Sequence, residues 1–372
     1  MKRLRNSLSA GRNILGISTV ISMVLFFLLY SVSSVLSNSL DTQQMAERWS
    51  KEKDVAQISC FFSSDAGVSV DSIESFRHTL DTALMEASIV QDSTNAGARL
   101  WADAYSAEGK ISVKSERATV SADAIGIGGD FFLFHPLQLL YGAYFSGNDY
   151  NQDYCILDED AAWQLFGSND VAGMMVTIGG TPHVVAGVIH REMGRLSEAA
   201  GLDSTVVYVS YSTLDTYGQN YGINHYEIVM PNPVSDYAYN YVKEHIGVPE
   251  KQLEVVENSG RFDLLSRFEI LAAFGTRPMT GKAIIYPYWE NVARGYEDII
   301  ALITFLAVLF LMYPTVLLLI LFVIYWKHKT WSARTIYLFL RDKWERKMED
   351  VRAKRLRRKA HKDTFDDEEE YI

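Results

Sequence analysis

Two long uncharged apolar segments constrain this 372-residue chain more than any other feature of its sequence. The first covers residues 14–36, and the second covers residues 299–326. A helix needs about 20 apolar residues to cross a bilayer, so each segment is long enough to span it. Pro314 lies inside the second segment, where we expect it to kink the helix or to mark its end. The sequence therefore predicts two transmembrane helices.

A cleavable signal peptide is the alternative interpretation of the first segment. The apolar part of a signal peptide is usually about 7–15 residues long, and this segment is longer, which favours an uncleaved anchor. The residues at positions 33–37 are small enough for a cleavage region, so the alternative stays open.

Charge is strongly segregated along the chain, although the formal net charge is −11. Residues 1–13 carry +4 and residues 327–362 carry +10, whereas residues 14–326 carry −19 and residues 363–372 carry −6. An acidic middle between basic ends argues against a nucleic-acid-binding protein.

Basic residues that flank a span mark its cytoplasmic side. We therefore expect a cytoplasmic basic leader at residues 1–13 and a cytoplasmic basic helix with an acidic tail at residues 327–372. Residues 37–298 then form one large domain outside the cell membrane, and both termini are cytoplasmic.

Helical patterns occur at several places in residues 37–298. Along residues 69–88 the apolar residues form one helix face: Ile73, Phe76, Leu80 and Leu84. Asp158 suits an N-cap, and Gly167 suits a C-terminal stop, for a helix through residues 161–166. Residues 38–53 keep a rough helical spacing, which predicts a stalk that continues the first span. Further helices are predicted over residues 234–246, over residues 261–274, and from residue 289 into the second span.

Strand patterns alternate with these helices. Strand-like apolar runs lie at residues 55–62, 110–114, 154–157, 205–210, 225–230 and 253–256. Residues 176–188 form a hairpin pattern around Gly179 and Gly180, which can supply positive φ angles. Strands and helices in mixed order, with a β-rich insert, predict an α+β domain of two lobes.

Three stretches of the chain carry a resemblance to a known family. They are Leu4–Leu8 with residues 12–17; Asp130-Phe-Phe with residues 140–145, 156–158, 165–168, 171–173 and 183–188; and the strand–helix unit His225 to Ile246. Over residues 1–315 the chain resembles the MacB/FtsX-type ABC transporter permeases and their MacB-like periplasmic core domain.

The resemblance implies an inserted lobe within residues 125–215 and a non-enzymatic membrane subunit. In that family, ATP hydrolysis on a separate cytoplasmic ATPase is coupled to movement of the outside domain. Those permeases have four spans, whereas two are predicted here, so we expect a two-span truncated or accessory form. The implied partners are membrane lipids, an ABC ATPase and a further permease subunit, without nucleic acid, and either a homodimer or a heterodimer is compatible with the resemblance.

Motifs for catalysis or cofactor binding are missing from the sequence. It has no Gly-x-x-x-x-Gly-Lys-Ser/Thr loop, no His-Glu-x-x-His and no Gly-x-Ser-x-Gly, so we expect no enzyme, cofactor or metal. Structural or exposed roles explain His183 and His190 better than a metal site. Cys60 and Cys155 lie where a disulfide is permitted, but their apolar surroundings favour buried free thiols.

Two groups of residues are candidate contact sites. The first, in a segment rich in Gly, Asn and Ser, is an outside surface of tyrosines: Tyr208, Tyr211, Tyr217 and Tyr221. Core packing with a loop is the alternative for these tyrosines. The second comprises cytoplasmic contacts with lipid or a partner: Arg3, Arg5, Arg12, Lys354, Arg355, Arg357 and Arg358. Anchoring by the positive-inside rule alone also explains the basic residues, and the acidic end either folds back on them or docks a partner.

Other classes of function stay open from the sequence. A stand-alone membrane-anchored sensor or binding receptor for a peptide or an envelope component fits the same topology. An outside hydrolase is a third hypothesis, and the missing motifs argue against it.

Overall fold

The computed structural model describes residues 2–52, 54–90, 99–191, 194–202, 204–273, 283–328 and 337–354, and for residues 2–12 it describes the backbone. The chain divides into two compact units. One contains Met1–Val24 and Leu309–Ile372, and the other contains Leu25–Val308.

A mixed sheet of eleven strands organises the described part of the unit Leu25–Val308. The strands are β1 (Val55–Phe62), β2 (Ala102–Lys114), β3 (Thr119–Gly129), β4 (Leu139–Gly142), β5 (Tyr154–Asp158), β6 (Met175–Ile178), β7 (Thr181–Ile189), β8 (Val206–Ser210), β9 (Gln219–Asn220), β10 (His225–Pro231) and β11 (Leu253–Glu257). Their order is β11-β1-β10-β2-β3-β8-β5-β7-β4, and β6 and β9 pair off this path. Most neighbours are antiparallel, but β8 runs parallel to β3, and β7 runs parallel to β5.

Helices lie before, between and after these strands. They are α1 (Lys2–Asn38), a 3-10 helix (Asp41–Gln43), α2 (Met45–Trp49), α3 (Val70–Glu86), α4 (Phe131–Phe134), α5 (Glu159–Phe166), α6 (Arg195–Ala199), α7 (Tyr211–Tyr217), α8 (Tyr237–His245), α9 (Leu264–Ala272), α10 (Tyr288–His328) and α11 (337–354). The predicted α+β class is therefore confirmed.

The helix predictions that rest on local chemistry are confirmed. The predicted apolar face of α3 is buried and packs into one cluster with β1, β10 and α8. Asp158 caps α5, because its Oδ1 accepts a hydrogen bond from the Ala161 N–H at 2.6 Å. Gly167 ends α5 in the left-handed conformation (φ 74°), where a side chain would be strained. Gly179 and Gly180 also have positive φ, in the turn between β6 and β7.

The two cysteines are buried free thiols, as the sequence favoured. Cys60 lies on β1 and Cys155 on β5, with β10, β2, β3 and β8 between them. Neighbouring strands are about 4.8 Å apart, so five steps place the two residues far beyond disulfide range.

The predicted stalk is not one continuous helix. Helix α1 ends at Asn38, and the chain then forms the short 3-10 helix and α2 before it enters the sheet. Leu40 and Met45 are buried, so this connection turns inward and packs instead of extending α1. Helix α10 begins at Tyr288, one residue before the predicted start.

Pro314 does not end the second span, because α10 runs through it to His328. Proline has no N–H, so the carbonyl four residues earlier, that of Phe310, loses its helical donor. Ser22 of α1 replaces that donor, since its Oγ donates to Phe310 O at 2.6 Å. Ser18 also bonds the Tyr313 hydroxyl at 2.7 Å. A side chain of one helix thus supplies the hydrogen-bond donor that the other helix lacks. Inside a bilayer this donor must come from the protein, because no water is present there.

We expect Ser22→Ala to destabilise the helix pair by about 0.6–1.7 kcal/mol, as for other hydrogen bonds between membrane helices. The measurement is thermal unfolding of the full chain in detergent. Ser31→Ala is the matched control, because Ser31 bonds the Phe27 carbonyl within its own helix. In a Pro314→Ala background the N–H of residue 314 can again donate to the Phe310 carbonyl. Ser22→Ala should then lower the stability of the helix pair by less. Equal costs in the two backgrounds would contradict the explanation.

Candidate functional site

The connection between α1 and the sheet is fastened by the side chain of Gln57 on β1. Its Oε1 accepts from the Met45 N–H at 2.8 Å, and its Nε2 donates to the Thr42 carbonyl at 2.7 Å. Gln57 is fully buried, so both bonds are shielded from water. Arg48 of α2 adds a bond to the Leu133 carbonyl at 2.8 Å. The chain therefore leaves α1 through a short segment that is held directly against β1 and α4.

The first turns of α10 are buried against the same part of the domain. Trp289 belongs to the apolar cluster that contains Met45 and Phe131, and its ring centroid lies 5.8 Å from that of Phe131. Glu290, the next residue, and Glu297, about two turns further along the same helix, are also buried. Two buried carboxylates need compensating cations, because an unpaired buried charge is very costly.

Arg261, in the segment after β11, supplies the central cation. Its Nη1 and Nη2 donate to the two carboxylate oxygens of Glu290 at 2.7 and 2.8 Å, and its Nε donates to Glu297. Its Nη1 also bonds Oε1 of Gln43, in the 3-10 helix, at 3.0 Å. Burial opposes the charge of Arg261, but the two carboxylates outweigh it and raise its pKa.

Arg294 completes this buried network. It donates from Nε to Glu290 Oε1 at 2.7 Å, and its guanidinium lies 3.7 Å from the ring centroid of Tyr286. Among the described residues two arginines then face two glutamates, and their formal charges balance. We call Gln43, Arg261, Glu290, Arg294 and Glu297 the arginine joint.

A third arginine, Arg267 of α9, bonds both long helices. Its Nη1 donates to Ser33 Oγ of α1 at 2.7 Å and lies 3.4 Å from Thr304 Oγ1 of α10. Its Nε donates to the Phe262 carbonyl at 2.6 Å. Burial lowers the pKa of Arg267 despite nearby Tyr30 and Asp263. Within the unit Leu25–Val308, the end of α1 and the start of α10 are therefore both fixed to the segment that follows β11.

The arginine joint and Arg267 hold the two long helices against the segment after β11. Charged hydrogen bonds in a dry environment are directional, and a displacement breaks them at high cost. Any shift of α10 therefore pulls on the segment after β11, and through it on the edge of the sheet. The arginine joint could not be predicted from the sequence, because no short motif spaces its members.

Three buried side chains near Trp289 also meet, and they could hold a metal ion: His135, His225 and Glu227. Burial would raise the pKa of Glu227, but His135 and His225 outweigh it and lower the pKa to about 2. Burial lowers the pKa of His225 to about 4. The structure does not bring together His183 and His190, the two histidines that lie close in the sequence. His183 is buried and bonds Thr213, whereas His190 pairs with Glu159.

A separate cavity of about 410 Å³ is lined in part by Asn224, the residue just before β10. Its lining combines apolar and polar side chains, among them Phe62, Glu108, Lys110, Tyr221 and Ile285. Burial and the neighbouring Asp123 raise the pKa of Glu108 to about 7. The cavity could therefore take a ligand with both apolar and polar groups.

The predicted tyrosine surface is partly wrong. Tyr208 is 2% exposed, because both faces of β8 are buried, and its ring packs against Phe131 and Phe132. Tyr211 is half-buried against Tyr105. Tyr217 and Tyr221 are 40% and 77% exposed, so these two alone of the four are largely open to a partner.

Most of the predicted cytoplasmic contacts cannot be placed at the side-chain level. Arg355, Arg357 and Arg358 lie outside the described residues, as does the acidic tail. The structure describes Arg3, Arg5 and Arg12 only by their backbone, which belongs to α1. Lys354 is exposed at the end of α11. These contacts stay predictions.

Comparison with known proteins identifies relatives of this chain. A family model described as the MacB-like periplasmic core domain matches residues 13–238. Two proteins described as macrolide export ATP-binding/permease protein MacB are similar to it. The one from Chromobacterium violaceum is 30% identical over 104 residues, and the one from Agrobacterium fabrum is 32% identical over 108 residues. These matches cover 27% and 28% of this chain, but only 15% and 16% of the relatives.

Solved structures with similarity to the chain include two outside domains. The periplasmic region of MacB from Actinobacillus actinomycetemcomitans has 18% identity and a TM-score of 0.36, covering 55% of this chain and 89% of its own. The extracellular domain of the noncanonic ABC-type transporter YknZ from Gram-positive bacteria has 18% identity and a TM-score of 0.35, covering 54% and 99%.

We expect Arg261→Met to lower the free energy of unfolding by about 3–5 kcal/mol, because it leaves buried carboxylates without their central cation. The free energy of unfolding of Arg261→Lys should lie between those of Arg261→Met and the wild type, since lysine keeps the charge but loses the bidentate geometry. Denaturant unfolding of the full chain in detergent measures the effect.

The matched control is Arg99→Met. Arg99 pairs with Asp130 at 2.6 Å, but it is half exposed, so its loss should cost no more than about 1 kcal/mol. Similar losses for Arg261→Met and Arg99→Met would refute the role given to the arginine joint.

We expect Glu108 to make the domain less stable as the pH rises. Its pKa is about 7 in the folded chain against 4.5 as the ordinary value, so between these values the unfolded chain releases a proton that the folded chain keeps. Glu108→Gln should remove this slope and stabilise the chain at about pH 8. Unfolding curves from about pH 5 to about pH 8 test this, with Glu116→Gln, at an exposed position, as the control. A slope that Glu108→Gln leaves unchanged would assign the pH dependence to other groups.

Proposed function

The chain belongs to the MacB-like periplasmic core domain family, and from this membership we propose that it is a non-enzymatic membrane subunit of an ABC-type transporter or mechanotransmission complex. In this proposal ATP hydrolysis on a partner ATPase moves the two membrane helices. The outside domain transmits that motion. An ABC ATPase and a further permease subunit are the proposed partners.

The arginine joint is the observation that carries this proposal. Transmission needs a stiff connection between the moving helices and the domain, and a buried network of charged hydrogen bonds is stiff. Arg261 bonds the 3-10 helix that follows α1 and two turns of α10. Both helices therefore deliver their motion to the same side chain.

The proposed topology follows from the helices and the charges. In the part of the chain that the structure describes, two helices are long and apolar enough to cross a membrane, within Asn13–Asn38 and within Tyr288–His328. Basic residues precede the first and follow the second, which favours cytoplasmic termini and an extracytoplasmic domain. Helix α11 carries apolar residues on one side at helical spacing: Tyr337, Leu340, Trp344, Met348 and Val351. Such a helix suits the cytoplasmic membrane surface, beside anionic lipid headgroups.

A membrane-anchored receptor is the second candidate function. The cavity of about 410 Å³ supports it, because Tyr221 and Ile285 line it and are strongly exposed. An apolar peptide or an envelope component with a polar group fits this lining.

Purification of the tagged full chain from native membranes in mild detergent tests the partner. We expect mass spectrometry to find an ABC ATPase and a further permease subunit. A lone chain or a homodimer, stable across several detergents, would contradict the transporter proposal and favour the receptor.

Spin labels on the purified complex test the transmission. Met85 of α3 and Trp163 of α5 are 73% and 64% exposed, so cysteines at these positions can be labelled. Burial raises the pKa of the Cys155 thiol to about 12 and that of Cys60 further, so both native thiols resist labelling.

We expect the distance between the labels to change when ATP replaces ADP. Arg261→Met should abolish the change without loss of the ATPase, whereas Arg99→Met should leave it intact. A change that persists in Arg261→Met would show that motion does not pass through the arginine joint.

A further inference from the structure

His135, His225 and Glu227 converge although they come from distant parts of the chain. His135 follows α4, whereas His225 and Glu227 lie on β10. All three side chains are 1% exposed. One ligand atom from each lies within 4.8 Å of the other two.

The spacing of these atoms suits a tetrahedral metal ion. His135 Nε2 lies 2.6 Å from Glu227 Oε2, and His225 Nε2 lies 3.6 Å from Glu227 Oε1. Bonds of about 2.0–2.1 Å in a tetrahedron hold ligand atoms roughly 3.3 Å apart, which falls between these two distances. Small side-chain shifts therefore suffice to admit an ion.

The histidine nitrogens point to a missing ligand. His225 Nε2 is buried and faces Glu227, yet it has no hydrogen-bond partner among the described residues. The other ring nitrogen, Nδ1, lies 3.3 Å from Ser106 Oγ. If Nδ1 donates to that hydroxyl, Nε2 carries a lone pair aimed at a carboxylate. A bound cation turns this unfavourable contact into two bonds.

An outer layer of contacts holds the three side chains in place. Ser59 Oγ donates to Glu227 Oε1 at 2.8 Å, and Asn258 Nδ2 donates to Ser59 Oγ at 2.8 Å. The rings of Phe61 and His225 stack with centroids 5.0 Å apart, and those of Phe131 and His135 stack at 4.3 Å. Such positioning is typical of metal ligands and is needed because ligand geometry sets the affinity.

We propose that His135, His225 and Glu227 form a binding site for a divalent transition-metal ion, with zinc as the best match. Two imidazole nitrogens and one carboxylate oxygen suit zinc, whereas calcium and magnesium prefer ligand sets made of oxygen. A cavity of about 100 Å³, lined by His135 and Trp289, adjoins the site and can admit a water to the fourth position.

The ion would tie β10 to the segment after α4, beside the first turn of α10. The ring centroid of Trp289 lies 4.5 Å from that of His135 and 5.3 Å from that of His225. Metal binding would therefore stiffen the region where α10 meets the domain. The site does not depend on the proposed partner ATPase, so either proposal can fail without the other.

Metal titration of the full chain in detergent tests the site. The chain carries an affinity tag without histidine, is stripped with a chelator and dialysed, and is then titrated with zinc or cobalt. We expect a single zinc ion per chain by elemental analysis, a rise in thermal stability, and visible cobalt bands typical of a tetrahedral site.

His225→Gln and Glu227→Gln keep the size of each side chain and remove a ligand. We expect zinc affinity to fall by more than about 100-fold in each, and Ser106→Ala to weaken it by about 10-fold. His183→Gln is the matched control, because His183 is also buried and lies outside the cluster. Near-ultraviolet circular dichroism reports whether each variant is folded, and Ser106→Ala keeps all three ligands in case the ligand variants fail to fold.

Two outcomes would overturn the proposal. A stripped wild-type chain that takes up no zinc would show that the cluster is a metal-free ion pair. Zinc uptake that Glu227→Gln, His225→Gln and Ser106→Ala all leave unchanged would place the ion elsewhere.

Discussion

The connection between the outside domain and its two long helices depends on the bidentate pair between Arg261 and Glu290. Burying an arginine and two glutamates costs much hydration, and the cost is recovered only while the guanidinium stays aligned with both carboxylates. The start of α10, the 3-10 helix after α1 and the segment after β11 are therefore held in one arrangement. The proposed transmission of helix motion to the domain requires such a connection, since apolar contacts alone would allow the helices to slide.

Polar groups on the two long apolar helices also have hydrogen-bond partners on other elements, and several of these partners are uncharged hydroxyls. Pro314 removes one backbone donor, and Ser22 of the other helix supplies a hydroxyl in its place. Arg267 likewise reaches Ser33 and Thr304, one on each helix. In each of these cases the partner of the polar group comes from another element.

The parts of the fold that local chemistry fixes were predicted from the sequence. The apolar face of α3, the cap at Asp158 and the stop at Gly167 each depend on residues within a few positions of one another. Tyr208 shows where this reasoning fails. Its tyrosine-rich neighbourhood resembled a surface, but β8 lies between β3 and β5 and is covered on both faces. Burial of a strand depends on its neighbours in the sheet, and its own residues do not reveal them.

By itself the sequence determined the two apolar spans, the segregation of charge, the α+β class and the family resemblance, because each of these is written in composition, periodicity or short motifs. The tertiary structure alone decided the sheet order, the arginine joint and the cluster of His135, His225 and Glu227. Arg261 and Gln43 are 218 residues apart, and His135 and Glu227 are 92 apart. Such pairs form only after strand pairing and helix packing bring their elements together, so no local pattern records them.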